Sequence, residues 1–438
     1  IRGYAGTEIT SEFAQRLGHS LASIFKQDNH YSVYVGCDCR LSSPLLLQAL
    51  KNGLLSAGVN VVELGMVTTS ILNYAVHHGD KASCGIMVTA SHNENGWTGV
   101  KMGAARPLTF GPDEMHKLRD TVLANKGIAR DGGSYRFVPG MAERYKADLS
   151  ARAPWSRKIK AVVACGNGTA GAFAPDVLSA IGVEVIPLHC DLDHSFPNHN
   201  PNPEDMGMLH ALRDTVLAHK ADIGFAFDGD ADRVLAVDGQ GRLVDGDHIL
   251  YLWGSALADA DALPQQRLVA TVMSNLGFER AWTARGGQLE RTAVGDQHVH
   301  AAMAELGAVL GGEQSGHIIS ADHGMSGDGV LTALQLAALL QPGETLSDRV
   351  DQSFRSFPQR LRNVRVPDRD RRKGWEQCDA LTTAIAAAEA AMGDEGRVLV
   401  RASGTEPLLR VMVEASSQEQ VDHWTDHLSD LADQLLNA

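Results

Sequence analysis

Apolar positions in this chain gather in short continuous runs, and these alternate with longer stretches at helical spacing. Continuous apolar strands between amphipathic helices predict βαβ crossovers and largely parallel sheets. One segment predicts a strand at 33–36, a helix at 44–56 and a strand at 59–64. A second predicts a strand at 161–165, a helix at 172–181 and a strand at 183–188. Both helices run into their second strand through a Leu-Ser-Ala sequence, starting at Leu55 and Leu178, which points to an internal repeat. A looser third copy covers 268–274, 276–285 and 289–294.

The end of the chain follows another plan. Residues 397–401 and 408–414 read as strands flanking a Ser-Gly-Thr-Glu-Pro turn. Ser417 with Gln420 is a capping-box signal, and Val421, Trp424, Leu428, Leu431 and Leu435 then form one apolar helical stripe. Residues 364–370 with the basic run Arg369–Lys373 read as a linker before this last unit, and residues 155–160 as another.

The 438 residues correspond to three or four domains at roughly 150 residues each. Apolar residues make up 44% and charged residues 21%, as in a folded globular protein, so whole-chain disorder is excluded. A formal charge of −14 disfavours nucleic acid or an anionic membrane as partner, while leaving room for a small phosphorylated ligand. The most apolar stretch, near 330–340, is too short to span a bilayer and contains Thr332 and Gln335. The six cysteines are scattered without a Cys-x-x-Cys pair, which fits free thiols in a reducing cytosol.

Four loops carry candidate chemistry. Thr89-Ala90-Ser91-His92-Asn93 follows an apolar strand, and Lys101 lies ten positions beyond the serine. A polar loop at the carboxyl end of a strand is where open α/β sheets build ligand sites. Asp228-Gly229-Asp230-Ala231-Asp232-Arg233 sets three carboxylates at alternate positions, which repel unless a divalent cation sits among them. An EF-hand needs Gly sixth and Glu twelfth, and here those positions are Arg233 and Gly239. Oxygen-only ligands favour Mg²⁺ over zinc. Gly311 to His317 offers Glu313 and Ser315 to hydroxyl groups, and His317 as a proton carrier. Arg401-Ala402-Ser403-Gly404-Thr405-Glu406-Pro407 supplies a guanidinium, hydroxyls and backbone N–H groups for an anion. Each loop alone also reads as a plain polar or glycine-rich turn. Together they hold a serine nucleophile, a metal carboxylate set, a hydroxyl-reading loop and a phosphate cradle, which suits phosphoryl transfer on a polyol phosphate.

On these four loops, in this order and over essentially the whole length, the chain resembles the α-D-phosphohexomutase superfamily. That resemblance implies an α/β fold: three similar mixed α/β domains plus a smaller α+β C-terminal domain around a central cleft. The expected divisions are 1–150 with the serine loop, 151–250 with the metal loop, 251–362 with the sugar loop and 363–438 with the phosphate loop. The resemblance also implies that Ser91 carries a phosphoryl group, and that Ser91, Asp228, Asp230 and Asp232 hold Mg²⁺. Arg233 is expected beside them, Arg2 near the serine, and Lys101 and His317 in proton transfer. Glu313 and Ser315 would read the sugar; Arg401, Ser403, Gly404 and Thr405 would grip its phosphate.

Two positions depart from the superfamily pattern: Glu94 stands where Pro is usual, and Thr98 where Asn is usual. Glu94 adds a negative charge near the serine. The expected activity interconverts hexose 1- and 6-phosphates through hexose 1,6-bisphosphate, which also serves as activator. Phosphomannomutase/phosphoglucomutase is the favoured activity, on the Ile1-Arg2-Gly3 opening and the stretch Phe196 to Pro201. Phosphoglucosamine mutase is the alternative, on Val294-Gly295-Asp296, the 312–317 and 403–407 fragments and Gly327-Asp328-Gly329. A sugar phosphatase and a non-catalytic sugar-phosphate sensor are the remaining rivals. A cytoplasmic monomer or homodimer, with a small phosphosugar as its only partner, completes the expectation.

Overall fold

The computed structural model describes residues 1–27, 32–79, 83–103, 110–125, 131–152, 158–324, 326–403 and 406–437. Gly404, Thr405 and residues 155–157 of the expected linker lie outside the described residues.

The first sheet contains β1 (Arg2–Tyr4), β2 (Ser32–Cys37), β3 (Asn60–Met66), β4 (Ser83–Val88), β5 (Trp97–Gly103) and β6 (Tyr135–Phe137), in the order β1-β5-β4-β2-β3-β6. The second contains β7 (Lys160–Ala164), β8 (Glu184–Leu188), β9 (Ile223–Phe227), β10 (Val234–Asp238) and β11 (Leu243–Val244), in the order β11-β10-β9-β7-β8. The third contains β12 (Arg267–Thr271), β13 (Gln288–Thr292), β14 (Leu310–Gly312) and β15 (Ile318–Ser320), in the order β13-β12-β14-β15.

These sheets share a motif. In each, a central strand (β2, β7, β12) pairs in parallel with the strand that follows it and with the third strand. The fourth strand (β5, β10, β15) then returns antiparallel to the third. Helices Ser43–Ser56 and Leu276–Ala284 lie where the sequence pattern put them. In the second copy the helix Ala174–Ala180 falls within the expected 172–181, and a separate 3₁₀ turn, Thr169–Ala172, precedes it. Pro175 at the start of that helix and the non-helical Phe173 (φ −131°) explain the break.

The described residues form two compact units, Ile1–Thr271 with Gly287–Ser353, and Val272–Gly286 with Phe354–Ala438. The third strand–helix–strand segment is thus divided, with its strands in the first unit and its helix in the second. The second unit holds an antiparallel sheet of β16 (Gln359–Arg365), β17 (Gly396–Ala402) and β18 (Leu408–Ala415), in the order β16-β18-β17. Helix Gln418–Leu436 packs Val421, Leu428, Ala432 and Leu436 against it, in line with the apolar stripe. Ser417 caps that helix by accepting from Gln420 N, while Gln420 Oε1 accepts from Ser416 Oγ at 3.3 Å. The expected linker at Arg369–Lys373 is instead a helical turn. The Asp368 carboxylate caps it by accepting from Asp370 N and Arg371 N, and buried Arg372 donates to Val366 O at 2.7 Å.

Leu54 is fully buried on the helix that follows the loop after β2, within the core of the first sheet. Leu54→Ala is expected to lower stability by about 2–5 kcal/mol, read as a fall in the denaturation midpoint.

Candidate active site

The serine loop is the connection from β4 to β5. Ser91 adopts a left-handed backbone, φ 53°, which costs a non-glycine residue roughly 1–3 kcal/mol. Its surroundings enforce that conformation. Thr89 Oγ1 accepts from Ser91 N at 2.8 Å. Arg40, buried after β2, donates to Ser91 O at 2.9 Å, Asn93 O at 2.5 Å, Glu94 O at 2.9 Å and Trp97 O at 3.3 Å. The Asp38 carboxylate accepts from Arg40 Nε at 3.1 Å and Ser43 Oγ at 2.5 Å, so the guanidinium is itself held in place. Arg2 Nη1 donates to Asn93 Oδ1 at 3.0 Å, which sets it at the edge of the same loop.

The acidic loop is the corresponding connection from β9 to β10. Asp228, Asp230 and Asp232 are all buried, and each offers an oxygen within 4.8 Å of the others. Ser91 Oγ donates to Asp228 Oδ2 at 2.7 Å across 137 residues of sequence. Asp228 Oδ1 accepts from Arg233 N at 3.1 Å. The two loops approach so closely that a Cβ on Gly229 would lie 2.5 Å from Ser91 O, so only glycine fits there. Thr69 donates to Asp230 Oδ2 at 2.5 Å, through its hydroxyl.

Positive charge converges on the trio. Lys101 Nζ donates to Asp230 Oδ2 at 2.7 Å and to Asp232 Oδ2 at 2.5 Å. His317 Nδ1 stands 3.7 Å from Asp232 Oδ2. Its ring packs against Gly327, where a Cβ would be 2.2 Å from Cε1. That contact is a packing reason for the first glycine of Gly327-Asp328-Gly329. Burial opposes charge on Lys101 and on His317, but the neighbouring aspartates win and raise both pKa values. Burial, with Asp232 and Asp230 as neighbours, pushes Asp228 well above the usual carboxylate range. Burial likewise resists ionisation of Asp232, yet Lys101 and His317 hold it well below that range. His92 Nδ1 is 3.3 Å from Ser91 Oγ; burial and the nearby Arg233 lower its pKa to about 3, so the ring is neutral at pH 7.

The glycine-rich loop joins β14 to β15. Glu313 is buried and accepts through Oε1 from Gly295 N at 3.0 Å, while Ser315 is half-buried. The loop docks on the acidic loop's exit strand, where Val234 N donates to Gly316 O at 3.1 Å. In the second unit, the β17–β18 connection contains Ser403, whose Oγ accepts from Glu406 N at 3.2 Å. Arg401 lies at the end of β17.

Comparison with known proteins fits this arrangement. Four successive regions match phosphoglucomutase/phosphomannomutase domains: alpha/beta/alpha domain I over residues 1–128, II over 136–241, III over 245–357 and the C-terminal domain over 361–431. A protein named phosphoglucosamine mutase from Synechococcus sp. (strain RCC307) is 63% identical, covering all of this chain and 95% of its own. The chain belongs to the phosphoglucomutase/phosphomannomutase family. It is a phosphohexomutase, an intramolecular phosphotransferase acting on a phosphosugar. A phosphoglucosamine mutase from Synechococcus sp. (strain WH7803) is 49% identical, covering 100% of this chain and 95% of its own. A solved phosphoglucomutase/phosphomannomutase family protein from Burkholderia thailandensis aligns with TM-score 0.87 at 27% identity, over 100% of this chain and 97% of its own.

In this phosphohexomutase, Ser91, Lys101, Asp228, Asp230, Asp232, Arg233 and His317 share one cluster, with Arg2 beside the serine loop. The residues also fit a divalent cation. Asp230 Oδ1 and Asp232 Oδ1 are buried without a hydrogen-bond partner, two oxygens that a hard cation would satisfy. Arg40, Asp38 and Thr69 were absent from the sequence reading. A charged pair directly after the apolar β2 was the available signal for the first two; Thr69 lies 161 residues from Asp230 and gave none.

Asp232→Asn is expected to weaken Mg²⁺ binding about tenfold or more, measured by calorimetry on the purified chain. Equal affinity in the variant would separate the trio from the ion. Arg40→Ala is expected to lower kcat about tenfold or more, with Arg40→Lys recovering little, since an ammonium lacks the planar fork that reaches several carbonyls. Steady-state kinetics of the two variants decides.

Proposed function

We propose that this phosphohexomutase is a phosphoglucosamine mutase, interconverting glucosamine 6-phosphate and glucosamine 1-phosphate. The contact that carries the chemistry is the Ser91 hydroxyl 2.7 Å from Asp228 within the buried acidic trio. The sugar is taken from the relatives named phosphoglucosamine mutase, at 63% to 46% identity over the whole chain. The Gly295 to Glu313 contact joins two of the fragments that favoured this sugar in the sequence.

In this reading Ser91 carries the phosphoryl group and donates it to the free hydroxyl of the bound sugar phosphate. The resulting 1,6-bisphosphate reorients and returns its other phosphate to Ser91; added bisphosphate would act as activator. Asp228, Asp230 and Asp232, with the phosphoserine, would hold Mg²⁺, which supplies charge compensation on the transferring group. Arg233 adds a fixed positive charge beside the trio. His317, whose pKa Asp232 raises against the effect of burial, and Lys101 would carry the proton transfers. Glu313 and Ser315 would read the sugar; Arg401, Ser403, Gly404 and Thr405 would bind its phosphate. We place the enzyme in the cytoplasm as a monomer or homodimer; among the described residues no helix is long and apolar enough to cross a membrane.

With a trace of hexose 1,6-bisphosphate present, kcat/KM for glucosamine 1-phosphate is expected to exceed those for glucose and mannose 1-phosphates by about tenfold or more. Ser91→Ala is expected to lose about a thousandfold or more in turnover while still binding substrate. Accumulation of inorganic phosphate in place of hexose 6-phosphate would favour a phosphatase instead.

A further inference from the structure

The loops leaving β7 and β8 hold a pair of groups that phosphoryl transfer does not use. Cys165 directly follows β7, and Cys190 lies just beyond β8, with the strands paired in parallel so that Ala164 faces Leu188. The two sulfurs are 3.6 Å apart, and both thiols are free. A disulfide needs them at about 2.05 Å, within reach of a small shift of the two loops. Cys165 is buried, whereas Cys190 is half-buried and followed by exposed Asp191 and Leu192, so Cys190 is the thiol nearer the surface. Burial pushes the Cys165 thiol well above the usual thiol range, while the hydrogen bond between the two sulfurs lowers the Cys190 pKa. That division suits an attacking thiol backed by a resolving one.

The same loop touches the acidic trio. From Cys165 the chain turns through Gly166, Asn167 and Gly168, and Thr169 N then donates to Gly229 O at 2.9 Å. Thr169 Oγ1 accepts from Cys39 N at 2.9 Å, which ties the loop to the segment carrying Arg40. On the other side the backbone of Cys190 packs closely on Gly171, where a Cβ would lie 2.0 Å from Cys190 O. Drawing the sulfurs together therefore pulls on a loop anchored to the residue between Asp228 and Asp230.

We propose that Cys165 and Cys190 form a reversible disulfide whose closure slows phosphoryl transfer. The oxidant is a small disulfide such as oxidised glutathione. The Cys190 thiolate attacks one of its sulfurs and expels the first glutathione thiolate. Deprotonated Cys165 then attacks the Cys190 sulfur and expels the second. Two protein thiols are oxidised, one disulfide is reduced to two thiols, and the two cysteine protons pass to the leaving thiolates.

The test equilibrates the full chain across a series of reduced-to-oxidised glutathione ratios. Each sample is read by alkylation and peptide mass mapping, and by mutase turnover. The expected result is a linked peptide pair containing Cys165 and Cys190, turnover lowered about tenfold or more, and recovery of both with dithiothreitol. Cys190→Ser should match the reduced enzyme and ignore oxidised glutathione, while Cys378→Ser should respond as the unmodified chain does. No linked pair under oxidised glutathione, a linked pair with unchanged turnover, or an equal loss in Cys190→Ser would each overturn the proposal. The turnover arm rests on the proposed mutase reading. A fully reduced chain that turns over no hexose phosphate would refute that reading, and the linked peptide alone would then decide the disulfide.

Discussion

Three carboxylates buried in a single turn, with oxygens within 4.8 Å of one another, set the terms for the rest of the site. Two like charges 4 Å apart repel by about 4 kcal/mol even at an effective dielectric constant of 20. The fold answers with Lys101 from β5, the Arg233 guanidinium from the same loop and His317, its pKa raised by Asp232, from the loop before β15. The serine hydroxyl enters the same network as a donor to Asp228. A phosphoryl group on Ser91 would add negative charge here, so the cluster is built for a net positive visitor. The two unpartnered oxygens, on Asp230 and Asp232, are where such a visitor finds ligands.

The placement of these groups follows from repetition. In all three mixed sheets the candidate site residues sit in the connection between the third strand and its antiparallel neighbour: Ser91 after β4, Asp228 to Asp232 after β9, and Glu313 to His317 after β14. The β17–β18 turn with Ser403 is again a connection between antiparallel neighbours. Third strands are central and apolar, so their polar exits are fixed by buried backbone on both sides. Positions set that way vary little with loop motion, which suits a reaction that is mostly positioning and electrostatics.

Much of this was legible in the sequence because apolar runs ending in chemistry mark strand exits. Ser91, the aspartates and His317 all announce themselves so, and the repeat betrayed the shared sheet plan. Arg369–Lys373 misled because a basic run after proline resembles a linker, whereas Asp368 caps it and Arg372 is buried. Lys101 was expected near the serine, but its bonds to two aspartates depend on the pairing of β5 with β4. Thr69 was invisible for the same reason: a hydroxyl next to a helix cap says nothing about a carboxylate reached only by tertiary packing. Composition could not rank the sugars, since glucose, mannose and glucosamine differ only at C2, in configuration or in hydroxyl against amine, which a few contacts must read.

Arg40 shows how the fold sustains a strained backbone at the site. The left-handed backbone at Ser91 goes with a hydroxyl directed at Asp228, 2.7 Å away in the buried trio. Left alone, that conformation would relax and withdraw the oxygen. Four backbone carbonyls converge on one guanidinium, and hydrogen bonds to a charged group contribute more than neutral ones. Together they outweigh a strain of a few kcal/mol. Asp38 neutralises the buried guanidinium, so the clamp adds no net charge to a site already balanced between three aspartates and their cations. The loop can therefore be rigid without disturbing the electrostatics on which phosphoryl transfer depends.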